Sequence, residues 1–109
     1  MWFLKWFRNA DKFHIQRSSQ WPKIRKKHIE KQPCCMACGS CKKPEVHHIV
    51  PVHVDPTKEL DPDNLITLCD KYCHFIFGHL MYYKSWNKNV VEDAERYLDL
   101  VKNRPTKQN

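Results

Sequence analysis

No stretch of this chain is both apolar and long enough to cross a bilayer, which excludes a helical membrane span. Residues Met1 to Phe7 are apolar, but they are too few for the core of a secretion signal. Lys5 interrupts them, and no small-residue cleavage site follows. The six cysteines are therefore expected to meet a reducing, cytoplasmic setting, where metal-bound thiolates are favoured over a disulfide framework. There is no internal repeat and no linker, so the 109 residues read as one small domain. Only 41% of them are hydrophobic, which leaves a modest core and makes a structural metal a useful addition to stability.

Acidic residues are scarce at one end. Residues 1–31 hold nine Lys or Arg against two acids, whereas residues 32–109 hold ten of each, so the first segment accounts for the whole net charge of +7. A one-sided basic block suits a polyanion, because neutralising phosphates releases condensed counterions. A solvated helix face that aids solubility is the plainer alternative. Trp2, Phe3, Trp6 and Phe7 have helical spacing and are expected to pack on the domain, with stacking on bases as the other use of aromatics among cations. Residues 21–31 predict a short helix. Pro22 is tolerated in a first turn, Trp21, Ile24 and His28 share a stripe, and Gln32-Pro33 ends it. Lys23, Arg25, Lys26 and Lys27 are the candidate nucleic-acid contacts, and His28 is read as a packing residue.

Candidate chemistry is concentrated between Cys35 and His79. The run Cys34-Cys35-Met-Ala-Cys38-Gly-Ser-Cys41 offers two C-x-x-C turns, Cys35/Cys38 and Cys38/Cys41, each spaced to supply two corners of a tetrahedral zinc site. Cys69 and Cys73 have three residues between them, within the range such sites tolerate. Between the cysteine pairs lie His47-His48 and Asn64, and His74 directly follows Cys73. Residues 45–50 read as a strand ended by Pro51, with Val46, Ile49 and Val50 as β-formers. A long loop with Pro56, Pro62 and four acids runs to Asn64, and residues 65–68 form a second strand. From Cys69 to about Leu80 a helix is expected to carry His74, although Gly78 can break it. An aromatic run through Trp86 supplies packing material. The clearest helix then starts at an Asn89/Glu92 capping pattern and is predicted to bury Val90, Val91, Ala94, Tyr97, Leu98 and Val101, before Pro105 and a polar tail.

Two cysteine pairs around His47-His48 and Asn64, closed by Cys73-His74, resemble the HNH endonuclease family in its four-cysteine zinc form. The resemblance implies an α+β fold: a ββα-metal core at residues 35–80, a basic arm and helix at 1–34, and a C-terminal helix and tail at 81–109, all packed as one domain. It implies structural Zn²⁺ on Cys35, Cys38, Cys69 and Cys73, with Gly39 following the second cysteine as in the family. Cys34 and Cys41 are then extra thiols, and an exchanged ligand set stays open. The implied activity is metal-dependent hydrolysis of DNA phosphodiesters. His47 and His74 would bind a catalytic divalent ion such as Mg²⁺, Mn²⁺, Ni²⁺ or Zn²⁺, and His48 would be the general base, a role that suits a side chain with an unperturbed pKa of about 6.5.

Asn64 would tie the loop that orients this base, its plainer reading being a turn cap. Some relatives place another ligand histidine four residues after the first, but that position here is Gly78. His79, at a spacing of five, sits about 140° round an ideal helix, so it joins His74 at one ion only if the helix is broken or bulged. His53 is read as a loop residue, with a phosphate contact as the alternative. Short members of the family occur in phages and mobile elements, which suggests a larger packaging or recombination machine as a further partner. Two rivals predict different behaviour. A non-catalytic zinc module binding nucleic acid or protein would need no second metal, and a thiol redox protein using Cys35 and Cys38 would leave the order of the histidines unexplained.

Overall fold

A computed structural model describes residues 17–70, 72–81 and 85–103. The aromatic run from Trp2 to Phe7, Tyr82 and Tyr83, and Pro105 lie outside the described residues. Two strands carry the architecture, which is small and α+β. Strand β1 (Pro44–His48) pairs antiparallel with β2 (Leu65–Cys69), in a register running from Pro44 opposite Cys69 to His48 opposite Leu65. The predicted first strand extended to Val50. The backbone N–H of Ile49 goes instead to the Asn64 carbonyl at 2.8 Å and that of Val50 to the Asn64 side chain at 2.8 Å, so the ladder gives way to a clamp around one asparagine.

Helix α1 (Trp21–Lys31) precedes β1 and begins with Pro22 in its first turn. Its predicted stripe of Trp21, Ile24 and His28 is half-buried. At its end Gln32 meets the outer edge of β2. The Gln32 side-chain oxygen accepts from the Thr67 N–H at 2.7 Å, and the Gln32 carbonyl accepts from the Thr67 hydroxyl at 2.7 Å. The Met36 N–H donates to the Thr67 carbonyl at 2.9 Å, so β2 has β1 on one edge and the helix–cysteine segment on the other. All five β2 residues are therefore buried, consistent with a strand that has no exposed edge. Cys35, Ala37, Ile66, Leu68, Cys69 and Cys73 form the core with Val90 and Ala94 from the last helix.

That last helix, α2 (Val90–Lys102), departs from its predicted pattern in two ways. Only Val90 and Ala94 are fully buried; Tyr97 is 40% exposed and Val101 39%, because the core ends after the helix's first turns. Asn89 makes no side-chain cap, since its backbone (φ −109°, ψ 25°) is not in the extended conformation that aims a cap at the first turn. Asn87 does related work from two residues earlier: it accepts from the Asn89 N–H at 3.0 Å and donates to Asp93 at 2.9 Å and to the Phe77 carbonyl at 2.7 Å. No described helix is long and apolar enough to cross a membrane.

The Thr67 hydroxyl is fully buried and bonded to a carbonyl that ends α1. Thr67→Val keeps the shape and leaves that carbonyl short of a donor. It is expected to cost about 1–2 kcal/mol, read as a lower urea midpoint with unchanged slope at constant zinc. An unchanged midpoint would show that the hydroxyl is not what joins α1 to the sheet.

Candidate active site and metal centres

The cysteine pairs meet where the sheet ends. Sulfur atoms of Cys35, Cys38, Cys69 and Cys73 all lie within 4.8 Å of one another, on three segments packed in the core. Zinc–sulfur bonds of about 2.3 Å place the corners of a tetrahedron roughly 3.8 Å apart, and the Cys38 and Cys69 sulfurs are 3.9 Å apart. The turn Cys35–Gly39 closes through Gly39 N–H to the Cys35 carbonyl at 2.9 Å, with Gly39 at φ +81°, where a glycine is favoured. Backbone N–H groups of Ala37 and Cys38 point at the Cys35 sulfur from 3.4 and 3.3 Å, and that of Cys73 at the Cys69 sulfur from 3.5 Å.

Burial raises the Cys35 pKa, but those N–H donors more than offset it, and the net shift is downward. Burial pushes the Cys38 and Cys73 thiols up, and a neighbouring thiolate at Cys35 adds to the rise. The cluster thus favours one negative charge and resists more, a resistance that a bound dication relieves. These four cysteines could hold zinc.

Cys34 and Cys41, expected as extra thiols, are instead disulfide-bonded to each other. The Cys35 N–H to Ser40 carbonyl bond, 2.8 Å long, folds the knuckle back and brings the two flanking residues together. The pairing leaves Cys35, Cys38, Cys69 and Cys73 as the free cysteines.

The histidine pair diverges as adjacent strand residues must. His47 turns towards His74 and His79, and all three rings present nitrogens within 4.8 Å of one another. The His74 Nε2 lies 3.1 Å from His47 Nδ1 and 3.2 Å from His79 Nε2. Metal–nitrogen bonds of about 2.0–2.1 Å set neighbouring ligand nitrogens roughly 3.0–3.4 Å apart, so this donor set fits a divalent ion. Burial lowers the pKa of His47 to about 2, with His74, His79 and His48 adding to it. Burial likewise lowers His74 to about 3, helped by His79 and His48. Both rings are therefore neutral, with lone pairs available, across the physiological range.

His79 reaches this group because residues 74–78 are not α-helical. They form a single π-helical turn, whose i to i+5 closure brings residues five apart onto one face. The expected α-helix over 69–80 is thus corrected, and the five-residue spacing that an α-helix would splay is the one that converges here. Leu80 and Met81 then take left-handed backbone conformations (φ 52° and 64°) and end the turn, with the Met81 N–H on the Phe75 carbonyl at 2.9 Å. Gly78 is buried against the rings. A Cβ there would lie 2.9 Å from His47 Nδ1 and 3.1 Å from His74 Cδ2.

His48 faces the other way, into the loop. Its Nε2 is 2.9 Å from the Glu59 carbonyl, which can only accept, so Nε2 carries the proton and Nδ1 is left with a lone pair. Burial lowers the His48 pKa; the bond to Glu59 opposes this and the Arg17 cation adds to it. Asn64 fixes the carbonyl's loop, donating from Nδ2 to Val50 (3.0 Å) and Lys58 (3.1 Å) while its oxygen accepts from Val50. The indole of Trp21 stacks on His48 with centroids 4.6 Å apart. Neither Glu59 nor the target of Trp21 was read from sequence; the helical stripe marked Trp21 only as a packing residue.

Among the basic candidates, Lys23, Lys26 and Lys27 are exposed at helical neighbour spacing. Arg25 folds back onto β1, 3.5 Å from the Pro44 carbonyl and 3.9 Å from Glu45. His28 is bonded to Gln32 at 3.1 Å, and His53 is exposed on the loop.

With this geometry in place, comparison with known families is specific. The family model for HNH endonuclease matches residues 35–76, a span that takes in the four clustered cysteines, His47, His48, Asn64 and His74 and stops short of His79. Residues 35–76 are thus similar to the HNH endonuclease family, a likeness that points to a nuclease-type function. No curated protein and no solved structure matches the chain.

Gly78→Ala should displace His47 or His74 from the group. Mn²⁺ affinity, titrated calorimetrically on zinc-replete protein, is expected to fall at least tenfold while zinc content per chain is unchanged, in line with the loss caused by disturbing a ligand's support. Wild-type affinity in this variant would mean that the three rings do not share an ion.

Proposed function

We propose that this chain is a metal-dependent DNA endonuclease in which His48 is the general base. The observation that carries the reading is the state of His48: a buried, neutral imidazole whose Nε2 proton is committed to Glu59, leaving the Nδ1 lone pair to take a proton from water. On the other face of the same strand, His47, His74 and His79 are the residues that would hold a divalent ion. Bound there, the ion would supply charge neutralisation at the phosphate and at the departing oxygen. The four-cysteine cluster would hold a structural Zn²⁺ at the opposite end of the sheet.

The remaining roles belong to the chain's own groups. Asn64 ties Val50 to Lys58, the neighbour of Glu59, and would thereby steady the carbonyl that keeps His48 in one tautomer. Lys23, Lys26 and Lys27 would grip the phosphate backbone without reading sequence, while Arg25, engaged with β1, would position the helix instead. By family resemblance the products would carry 5′-phosphate and 3′-hydroxyl ends.

The test is nicking of supercoiled plasmid in EDTA, Mg²⁺, Mn²⁺ or Ni²⁺, beside a zinc-replete His48→Ala variant. Cleavage is expected only with an added ion, and the variant is expected to lose about 10²- to 10⁴-fold. A well-folded wild type that binds DNA and never cuts it would favour a non-catalytic zinc module.

A further inference from the structure

The start of α1 reaches the proposed base twice, and the nuclease reading uses neither contact. The Trp21 indole lies over the His48 imidazole, with centroids 4.6 Å apart and planes inclined by 32°. The Ser18 N–H, just ahead of the helix, donates to the Glu59 carboxylate at 2.9 Å. Glu59 is itself 8% exposed, and its backbone carbonyl is the group that holds His48 Nε2. The same short segment thus covers the ring and anchors the residue to which the ring is bonded. The Arg17 guanidinium lies over the Trp21 ring, 5.5 Å from its centroid, a cation–π distance.

An imidazole with one hydrogen bond can still rotate about that bond. Its Nδ1 then sweeps an arc, and a proton acceptor that must meet a water within hydrogen-bond range loses rate when it is misaimed. Asn64 and Glu59 fix where Nε2 sits; only a surface against the ring fixes its plane. Among the described residues the ring stacked on His48 is Trp21.

We infer that Trp21 is a positioning residue for His48, setting the plane of the imidazole while the Ser18–Glu59 bond steadies the carbonyl that sets its tautomer. The inference rests on His48 being the base. It makes α1 part of the catalytic apparatus as well as the carrier of the exposed lysines, so the helix that would grip the backbone also aims the base.

The experiment is steady-state plasmid nicking with wild type, Trp21→Phe, Trp21→Leu, Glu59→Ala and His48→Ala, each checked for zinc per chain and far-ultraviolet circular dichroism. Trp21→Leu keeps apolar volume and removes the flat ring. Its kcat is expected to fall at least tenfold with KM within twofold, and Trp21→Phe is expected to return to within about threefold of wild type. Glu59→Ala, which retains the backbone carbonyl, is expected to lower kcat with KM unchanged and serves as the second route if the leucine variant folds poorly. Wild-type kcat in Trp21→Leu, or in Glu59→Ala where that route is used, would overturn the inference while leaving the nuclease reading intact. So would a loss confined to KM, or a phenylalanine variant as impaired as leucine. A wild type that does not cut, or a His48→Ala that cuts as fast, would instead overturn the reading itself and the inference with it.

Discussion

Everything proposed for this protein depends on the antiparallel pairing of Pro44–His48 with Leu65–Cys69. The register puts Cys69 opposite Pro44 at one end and His48 opposite Leu65 at the other, with the pairs Glu45–Leu68 and Val46–Thr67 between Cys69 and the pair that carries His47. Because side chains alternate along a strand, the same pairing sends His47 and His48 to different faces, one to the imidazole group and the other to Glu59. A slip of one residue would exchange the two rings and destroy both environments. Two short strands alone would not resist such a slip. The register is held by the cysteine-bearing segments at one end and by Asn64, which spans Val50 and Lys58, at the other.

The two donor sets differ in the way their chemistry requires. Soft thiols, supported by backbone N–H groups and sunk in the core with Leu68 and Val90, form a closed cluster suited to a structural ion. His47 and His74 are neutral because they are buried, and neutral rings can donate to an ion without first releasing a proton. A core this small gains from the first set, since one ion would tie together the segments that carry the four thiols. The Cys34–Cys41 disulfide closes the loop carrying two of those thiols and adds a covalent tie at the point where α1 passes into the sheet.

The constellation itself was legible in the sequence, because the order of cysteines, histidines and Asn64 survives folding unchanged. What escaped reading was anything that depended on backbone geometry between those residues. His79 looked misplaced by one position, and a π-turn, with Gly78 leaving room for the rings, brings it to His74. Cys34 and Cys41 looked spare, because nothing in their spacing announces the hairpin that joins them. Asn89 had the right neighbours for a cap and the wrong dihedrals, and Asn87 took much of its place. Trp21 was visible as a packing residue, but a stripe on a helix does not say what it will pack against.

The central claim is that cutting depends on an ion held by His47, His74 and His79 and distinct from that of the cysteines. The most direct measurement records Mn²⁺ binding by electron paramagnetic resonance and single-turnover plasmid cleavage on the same zinc-replete protein. The account predicts one bound Mn²⁺ per chain, cleavage that rises in proportion to its occupancy, and loss of both in His47→Ala with zinc retained. Cleavage by zinc-replete protein without a second ion, or full cleavage by His47→Ala, would contradict it.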